Sequence, residues 1–510
     1  MSQDRPLFRK LLVANRGEIA LRVVRGARDL GIPTVAVYSD VDADLPHVRL
    51  ADEAYCLGPA PATESYLNIE RLLDVAERSG ADAVHPGYGF LSENADFVRA
   101  CAAAGLTFVG PPAEAMDQMG DKIASRRSMQ AAGVPIVPGA IDPVTSLPEA
   151  AAAADEAGYP VIVKASAGGG GKGIRVVQSP DELPRAISNA QEEAGAAFGD
   201  GAVFVEKLLR GARHIEVQVI ADAEGNVVTL GERECSLQRR RQKLIEEAPS
   251  AAVGPGLRAR LEEAAATAVR ACGYRNAGTV EFLVYGENED QVAFLEVNAR
   301  LQVEHPVTEL VRGVDLVRDQ LRVAAGLPLG YTGADRPIQG WAMECRITAE
   351  DPYAGFLPAI GPIHAYREPA GPGVRVDGML HPGMEVSLHY DSLLAKLITW
   401  GEDRDQCIRR MRRALREFSV AGVHTTIPFH LAMLDDPNFL RGAIHIDYVE
   451  EEFQMPAPDA EPSERLAALA AAAYFQTAGE RDPEHANGAL GGWAGQARTL
   501  RSPSGAGWRR

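Results

Sequence analysis

The sequence predicts an α/β fold that becomes α+β in its C-terminal part, and three observations carry that reading. Strand and helix patterns alternate over residues 9 to about 118, as an open, mostly parallel sheet requires. A glycine run, Gly168–Gly171, lies between two β-rich runs at 161–164 and 174–177. Two further strand-like runs, Thr279–Val284 and Ala293–Asn298, read as the arms of a hairpin and each offers a carboxylate, Glu281 and Glu296. At 510 residues with 46% hydrophobic content, the chain has length for about three domains.

In the first segment, Lys10–Ala14 reads as a short strand. Ile19, Val23, Val24 and Leu30 then mark one helix face, closed by Gly31, and Thr34–Tyr38 is the next strand. Asp82–His85 and Thr107–Val109 continue the alternation. Asp40 follows the second strand as a ribose-binding acid would, but the first turn, Ala14–Glu18, has no G-x-G-x-x-G, so a dinucleotide site is not expected. The loop His85–Asn94 is rich in Gly, Pro and aromatics at a strand's C-terminal end, where open α/β sheets line their ligand crevice. The same composition also suits a plain turn.

A connecting helix bearing Lys122 leads to strand Val161–Lys164, the glycine run with Lys172, and strand Ile174–Val177. Strand, glycine loop, strand is a hairpin, unlike the strand–loop–helix of a Walker P-loop. Consecutive glycines let backbone N–H groups approach phosphate oxygens and let the hairpin close as a lid. Strand Ala202–Lys207 ends in Glu206 and Lys207, where a nucleotide base could meet main-chain groups, and Arg213–Val219 alternates cleanly. The densest basic run, within Glu232–Lys243, follows a strand at Val227–Leu230 and is expected to form an anion-binding edge. Residues 256–272 read as an amphipathic helix.

The second hairpin carries the chemistry. A period of two puts Glu296, Asn298 and Arg300 on one face, with Glu281 on the neighbouring strand. Two carboxylates and an amide form a hard oxygen cage suited to Mg²⁺ or Mn²⁺ holding phosphates. Arg300, Gln302 and Glu304 then offer a seat for a small anion beside a base. Arg346 sits on a strand within Glu344–Asp351, and Tyr390–Ile398 reads as another. From 453 the composition shifts to a Pro456, Pro458, Pro462 linker, a helix at Leu466–Phe475 and a Gly/Ala/Arg-rich tail.

Charge and cysteines narrow the class. The balance of 52 basic to 70 acidic residues, net −18, argues against a nucleic-acid partner. Six cysteines form no C-x-x-C pair, so neither zinc nor a disulfide framework is indicated. No signal-like h-region appears, and no apolar run approaches the roughly 18 residues a membrane span needs. A cytoplasmic enzyme is the default.

Over residues 8 to about 452 the chain resembles the biotin carboxylase component of biotin-dependent carboxylases, which are ATP-grasp enzymes. The resemblance rests on Ala14–Ala20, His85–Asn94, Met119–Lys122, Lys164–Gly173, Arg213–Gln218, Glu296–Pro306 and Glu344–Arg346, in that order. It implies an N-terminal domain (1–118) and an ATP-grasp segment (119–343). That segment divides into a lid at about 137–208 and a metal core at 209–343. A β-rich C-terminal domain (344–452) and a tail (453–510) follow. It also implies ATP phosphates on Lys122, Lys164 and His214 under Gly169, Gly170 and Gly171, and an adenine end near Glu206, Lys207, Leu209, Gln238 and Ile446. Two Mg²⁺ (or Mn²⁺) ions would bridge to Glu281, Glu296 and Asn298. Bicarbonate would sit on Arg300, Gln302 and the Val303 N–H, near Lys243. Glu304 would act as base, Arg346 would stabilise the enolate-like charge on biotin, and Tyr88 would help form the biotin pocket. Position 241, often His or Asn in this family, is Arg241, which bears on a ribose contact.

The implied reaction is the first half of an acetyl-CoA, acyl-CoA or pyruvate-type carboxylation, the acetyl-CoA case belonging to fatty acid biosynthesis. The implied partners are a biotin carboxyl carrier protein, carboxyltransferase subunits and a second copy in a homodimer. No Met-Lys dipeptide occurs in the chain and no β-rich carrier domain follows residue 452, so biotin is expected in trans. Another bicarbonate-activating ATP-grasp ligase, such as a carbamoyl-phosphate-forming one, and a non-catalytic assembly subunit are the alternatives.

Overall fold

The computed structural model describes residues 7–165, 175–198, 203–286 and 288–457. Residues 1–455 form one compact unit and residues from 456 a second. The glycine run at 168–173, with Gly169, Gly170 and Gly171, and the helix expected at 466–475 lie outside the described residues.

The first segment folds as the alternation requires. Strands β1 (Leu11–Val13), β2 (Thr34–Ser39), β3 (Glu53–Gly58), β4 (Ala83–His85) and β5 (Thr107–Phe108) form a five-stranded sheet in the order β3-β2-β1-β4-β5. Its pairs are all parallel. Helix α1 (Gly17–Asp29) buries Ile19, Val23 and Val24 against one face. Strand β3 is an element the sequence reading lacks. The two side chains of its Glu-Ala-Tyr-Cys-Leu-Gly stretch that could mark it, Tyr55 and Cys56, are only half-buried or exposed at the sheet's edge.

The lid segment holds β6 (Val161–Ala165), β7 (Arg175–Val177) and β8 (Val203–Lys207), with β6 antiparallel to both neighbours. Val161, Val163, Val177, Val203 and Val205 form its own small core with helix Leu147–Ala157, whose start is fixed by a Ser146–Glu149 capping box.

An eight-stranded antiparallel sheet organises the remainder. It contains β9 (Arg213–Ala221), β10 (Val227–Arg239), β11 (Gln242–Ala248), β12 (Asn276–Tyr285), β13 (Gln291–Asn298) and β14 (Trp341–Thr348). The order is β13-β12-β9-β10-β11-β14, continued by strands Leu393–Gly401 and Val374–Gly378. Residues from both sides of position 343 therefore share one hydrogen-bonded sheet.

One expectation is corrected here. Only the first part of the run Glu232–Lys243 departs from the edge expected. The run is the second half of β10, a two-residue turn and the start of β11; Glu232–Glu234 pair with β9, while Arg240, Arg241 and Gln242 at the turn are exposed. Glu232, Arg233, Glu234 and Ser236 are buried, and Glu232, Arg233 and Glu234 each have a partner in the interior. Among the described residues no helix is long and apolar enough to cross a membrane.

Candidate active site

Strand register brings the polar side chains together. Glu296, Glu281, Glu216 and Arg233 stand opposite one another across β13, β12, β9 and β10, making one charged row on a single face of the sheet. Asn298 and Gln218 flank Thr279 in the row beside it. The other face of these strands, with Ile215, Val217, Val280 and Phe282, is hydrophobic core. Two bulges adjust the alternation. An extra residue at Leu295 lets Phe294 pair with Phe282 in the core while Glu296, an even number of residues on, pairs with Glu281 in the site. A second, at Leu244, puts Lys243 and Glu246 on the same face while Leu244 and Ile245 enter the core.

Arg233 forms the floor and is fully buried. Its guanidinium donates to Glu216, to Gln218 (2.6 Å) and Thr308 (3.0 Å), and to Thr279 (3.0 Å) and Gln302 (2.8 Å). That uses all five of its N–H groups. Gln302 passes the order on, donating from Nε2 to Glu281 Oε1 at 2.8 Å.

Lys243 is the hub above this floor. Its Nζ donates to Glu216 (2.6 Å), Glu281 (3.0 Å) and Glu304 (2.7 Å). Burial alone would lower the pKa of Lys243, but these three carboxylates hold it well above the usual lysine value. Burial opposes ionisation of Glu304 as well, yet Lys243, Arg346 and Arg233 hold it well below the carboxylate range. Glu281 is depressed in the same way by Lys243 and by His214, whose Nε2 lies 3.0 Å from its second oxygen. His214 is in turn raised, Glu281 outweighing the burial that would lower it. Lys243, Glu281, Glu304 and His214 thus each favour their charged form through an opposite charge beside them.

Arg346 closes the far side, 2.9 Å from Glu304 and 2.6 Å from Glu246. The Tyr88 hydroxyl donates to Glu18, whose carboxylate lies 3.3 Å from the Lys396 ammonium. Lys396 donates to the Val303 carbonyl at 2.9 Å and so fixes the turn between Gln302 and Glu304. Arg300 is held by Glu93 (2.9 Å) and donates to Asn298 Oδ1 (2.7 Å).

The residues expected around the nucleotide are more dispersed. Leu209 and Ile446 pack in one apolar cluster with Val137, Ala212 and Ala293, and the Ile446 N–H donates to the Ala212 carbonyl at 2.9 Å. Glu206 is paired with Arg126 and with Lys164 (2.6 Å). The Lys207 ammonium is taken by the Gly158 and Tyr159 carbonyls. Gln238 is the cross-strand partner of Lys243. Lys122 opens the helix Lys122–Ala131. Arg241 forms, with Arg240, the turn between β10 and β11, both with positive φ (+66° and +48°).

Glu216, Gln218, Arg233, Glu246, Glu93 and Lys396 are absent from the sequence-derived site. The alternation Arg213–Gln218 places Glu216 and Gln218 on one face and could have found them. Arg233, Glu246 and Lys396 depend on sheet order, which local pattern does not contain.

The donor set fits a hard cation. Glu281 and Glu296 are opposed carboxylates with the Asn298 amide in the next row, and His214, Glu216 and Glu281 bring ligand atoms within 4.8 Å of one another. The buried Asn298 Nδ2 has no hydrogen-bond partner among the described residues, so the amide is not locked from both ends.

Comparison with known proteins agrees with this arrangement. Residues 7–116 match the family model described as biotin carboxylase, N-terminal domain, and residues 344–451 the biotin carboxylase C-terminal domain. Residues 121–332 match the carbamoyl-phosphate synthase L chain ATP-binding domain. The chain is 51% identical over 444 residues to biotin carboxylase 1 of Bacillus subtilis, covering 87% of this chain and 98% of that one. It is 50% identical over 450 residues to the biotin carboxylase of Haemophilus influenzae, covering 88% and 100%. Among solved structures, the biotin carboxylase domain dimer of the Hydrogenobacter thermophilus 2-oxoglutarate carboxylase, in complex with MgADP, ADP and bicarbonate, superposes with a TM-score of 0.82. It shares 47% identity and covers 87% of this chain and 97% of that one. With an ATP-grasp fold, a charge-matched carboxylate and lysine cluster, and identity at this level over nearly the whole length of its relatives, the chain belongs to the biotin carboxylase family.

Proposed function

We propose that this chain is an ADP-forming ligase that carboxylates biotin on a carrier protein, using ATP and bicarbonate. The observation that carries the reading is Glu304, held ionised between Lys243 and Arg346 and one turn of backbone from Gln302. A base poised between two cations can take a proton from an anion that those same cations bind.

In this reading bicarbonate binds to Arg300, Gln302 and the Val303 N–H, with Lys243 beside it. Glu304 takes its proton. The bicarbonate oxygen attacks the γ-phosphorus, ADP leaves, and carboxyphosphate forms. Glu281, Glu296 and Asn298 would hold the Mg²⁺ (or Mn²⁺) ions, two of them, whose charge screens the triphosphate. Lys122, Lys164 and His214 contact the phosphates beneath Gly169, Gly170 and Gly171. The base of the nucleotide rests on the Leu209–Ile446 cluster, near Glu206, Lys207 and Gln238. For Lys164 this requires exchanging Glu206 for a phosphate, a movement within the reach of a lysine side chain.

Carboxyphosphate then breaks into CO₂ and phosphate. Phosphate removes the ureido N–H proton of biotin, and the nitrogen attacks CO₂. Arg346 faces the negative charge that develops on the ureido oxygen, and Tyr88 lines the ring's pocket. The biotin carboxylase models that match on both flanks, and Arg346, favour biotin over an amine acceptor.

The enzyme works as a homodimer in the cytoplasm and hands carboxybiotin to carboxyltransferase subunits, which choose the acyl-CoA or 2-oxo-acid acceptor. The cysteines, all free and five of them buried, fit a reducing compartment. The test is ADP release by the purified chain with bicarbonate, with and without biotin. Biotin-stimulated, bicarbonate-dependent turnover is expected. Bicarbonate-dependent turnover indifferent to biotin, with an amine as acceptor, would replace this reading with that of a carbamoyl-phosphate type.

A further inference from the structure

The turn that carries Gln302, Val303 and Glu304 is held from behind by two buried side chains. The His305 Nδ1 donates to the Gln302 carbonyl at 2.8 Å, and the Lys396 Nζ donates to the next carbonyl, that of Val303, at 2.9 Å. Both side chains are fully buried. In a trans peptide the N–H points opposite to the C=O of the same unit. Drawing these two carbonyls toward His305 and Lys396 therefore turns the Val303 and Glu304 N–H groups the other way. Neither N–H has a protein acceptor among the described residues. Two successive free donors beside Glu304 suit a small anion.

Lys396 also reaches in a second direction. It stands in register opposite Arg346 across β14 and strand Leu393–Gly401, with Asp377 in register on its other side. Arg346 is engaged by Glu246 and Glu304, whereas the Lys396 ammonium lies 3.3 Å from Glu18 Oε1. That same oxygen accepts the Tyr88 hydroxyl. Asp377 is farther from the ammonium, at 3.9 Å, and is held by Arg375 at 2.6 Å. One ammonium thus touches the peptide that joins Val303 to Glu304 and, through one carboxylate oxygen, the side chain of Tyr88.

We propose that Lys396 is a positioning residue for both small reactants, setting the Val303–Glu304 peptide for bicarbonate and, through Glu18, the Tyr88 ring for biotin. This rests on the reading of the chain as a biotin carboxylase. Lys396 acts through these groups and carries out no step itself. Its burial leaves the ammonium no water to exchange with, so the Val303 carbonyl and Glu18 fix its place together. A shift of about 1 Å in groups that orient a reactant costs on the order of 10²-fold in rate.

The experiment measures KM for bicarbonate, free biotin and ATP in Lys396→Met, which keeps the length of the side chain and removes its charge. The expected result is a rise of about tenfold or more in KM for bicarbonate and for biotin, with KM for ATP within about twofold of wild type. If that variant does not fold, the double variant Glu18→Gln/Lys396→Met, which removes both members of the ion pair, is measured for the same constants. A fall in kcat with every KM unchanged is the mark of a purely structural lysine and would overturn the proposal. Wild-type constants throughout, equal rises in all three, or a rise for only one of bicarbonate and biotin would overturn it too, as would failure of both variants to fold. Absence of biotin carboxylation by the wild-type chain would instead remove the functional reading beneath it.

Discussion

Glu246 and Glu344 face each other in register across β11 and β14, both fully buried, and of the two only Glu246 pairs with Arg346, at 2.6 Å. Neither oxygen of Glu344 meets a hydrogen-bond donor among the described residues. The groups around the pair are Arg346 on β14, Lys243 on β11, Glu304, and Lys396 on the next strand. Burial pushes Glu246 up to about 7, against the pull of Arg346, and holds Glu344 well above the carboxylate range against that of Lys396. Two buried carboxylates paired across adjacent strands retain a proton that the unfolded chain releases.

This fixes the sign of a pH effect. With folded pKa values raised, the pair's contribution is fully present below about pH 4.5 and is lost as pH rises through about 7. Glu344→Gln keeps the shape and removes the titration. Thermal unfolding of this variant should match wild type near pH 5 and exceed it near pH 8, by roughly 1.4 kcal/mol for every tenfold difference in proton affinity between folded and unfolded chain that the substitution removes. An equal difference at both pH values would show that the pair does not retain a proton.

Glu296 is exposed on the rim of β13 opposite buried Glu281, and glutamine keeps its shape. Glu296→Gln should unfold within about 0.5 kcal/mol of wild type while losing Mg²⁺-dependent ATP turnover. Normal turnover with Mg²⁺ in that variant would remove Glu296 from the metal set.

Glu304→Gln should behave differently. The nucleotide residues and metal carboxylates stay, so ATP binding measured by calorimetric titration should persist. Bicarbonate-dependent ADP release should fall by about 10²–10⁴-fold, the usual worth of a positioned base. A weakened ATP affinity with unchanged kcat would make Glu304 a structural residue.

Arg241 occupies a left-handed turn position that disfavours a long side chain with a Cβ. Both turn residues with positive φ correspond to the type I′ hairpin, in which Asn is preferred. Arg241→Asn should raise stability by about 0.5–1 kcal/mol and leave KM for ATP nearly unchanged. A marked rise in that KM would establish a nucleotide contact at this position.

The site was legible in sequence where its geometry is local. Glu296, Asn298 and Arg300 share a face because a strand alternates, and no distant fact is required. The Leu295 and Leu244 bulges were not legible, since an extra residue leaves no mark in a hydrophobic pattern. They determine that Phe294 and Glu296 part company and that Lys243 and Glu246 meet. The first part of the basic run, expected in an anion-binding edge, was not legible for a related reason: Arg233 spends every donor on groups from β9, β12 and the 302–308 segment. Strand order decides that, and strand order is a long-range property. The parallel strands of the first segment were legible where each is followed by its own helical period, whereas β3, half-exposed at the edge, was missed.

The eight-stranded sheet has one more consequence, for anyone who cuts or recombines this chain. Strand β14 hydrogen-bonds to β11 from Ile245 to Ala248, and strand Leu393–Gly401 hydrogen-bonds to β14 in turn. A fragment ending near residue 343 would leave β11 as a bare edge with Ile245 exposed and Glu246 deprived of Arg346. Such an edge is a template for intermolecular pairing. The segment boundary seen in family matching is thus a poor place for a break point. Swaps between relatives should carry residues 209–452 as one piece, because the seam of the sheet runs through the catalytic cluster rather than beside it.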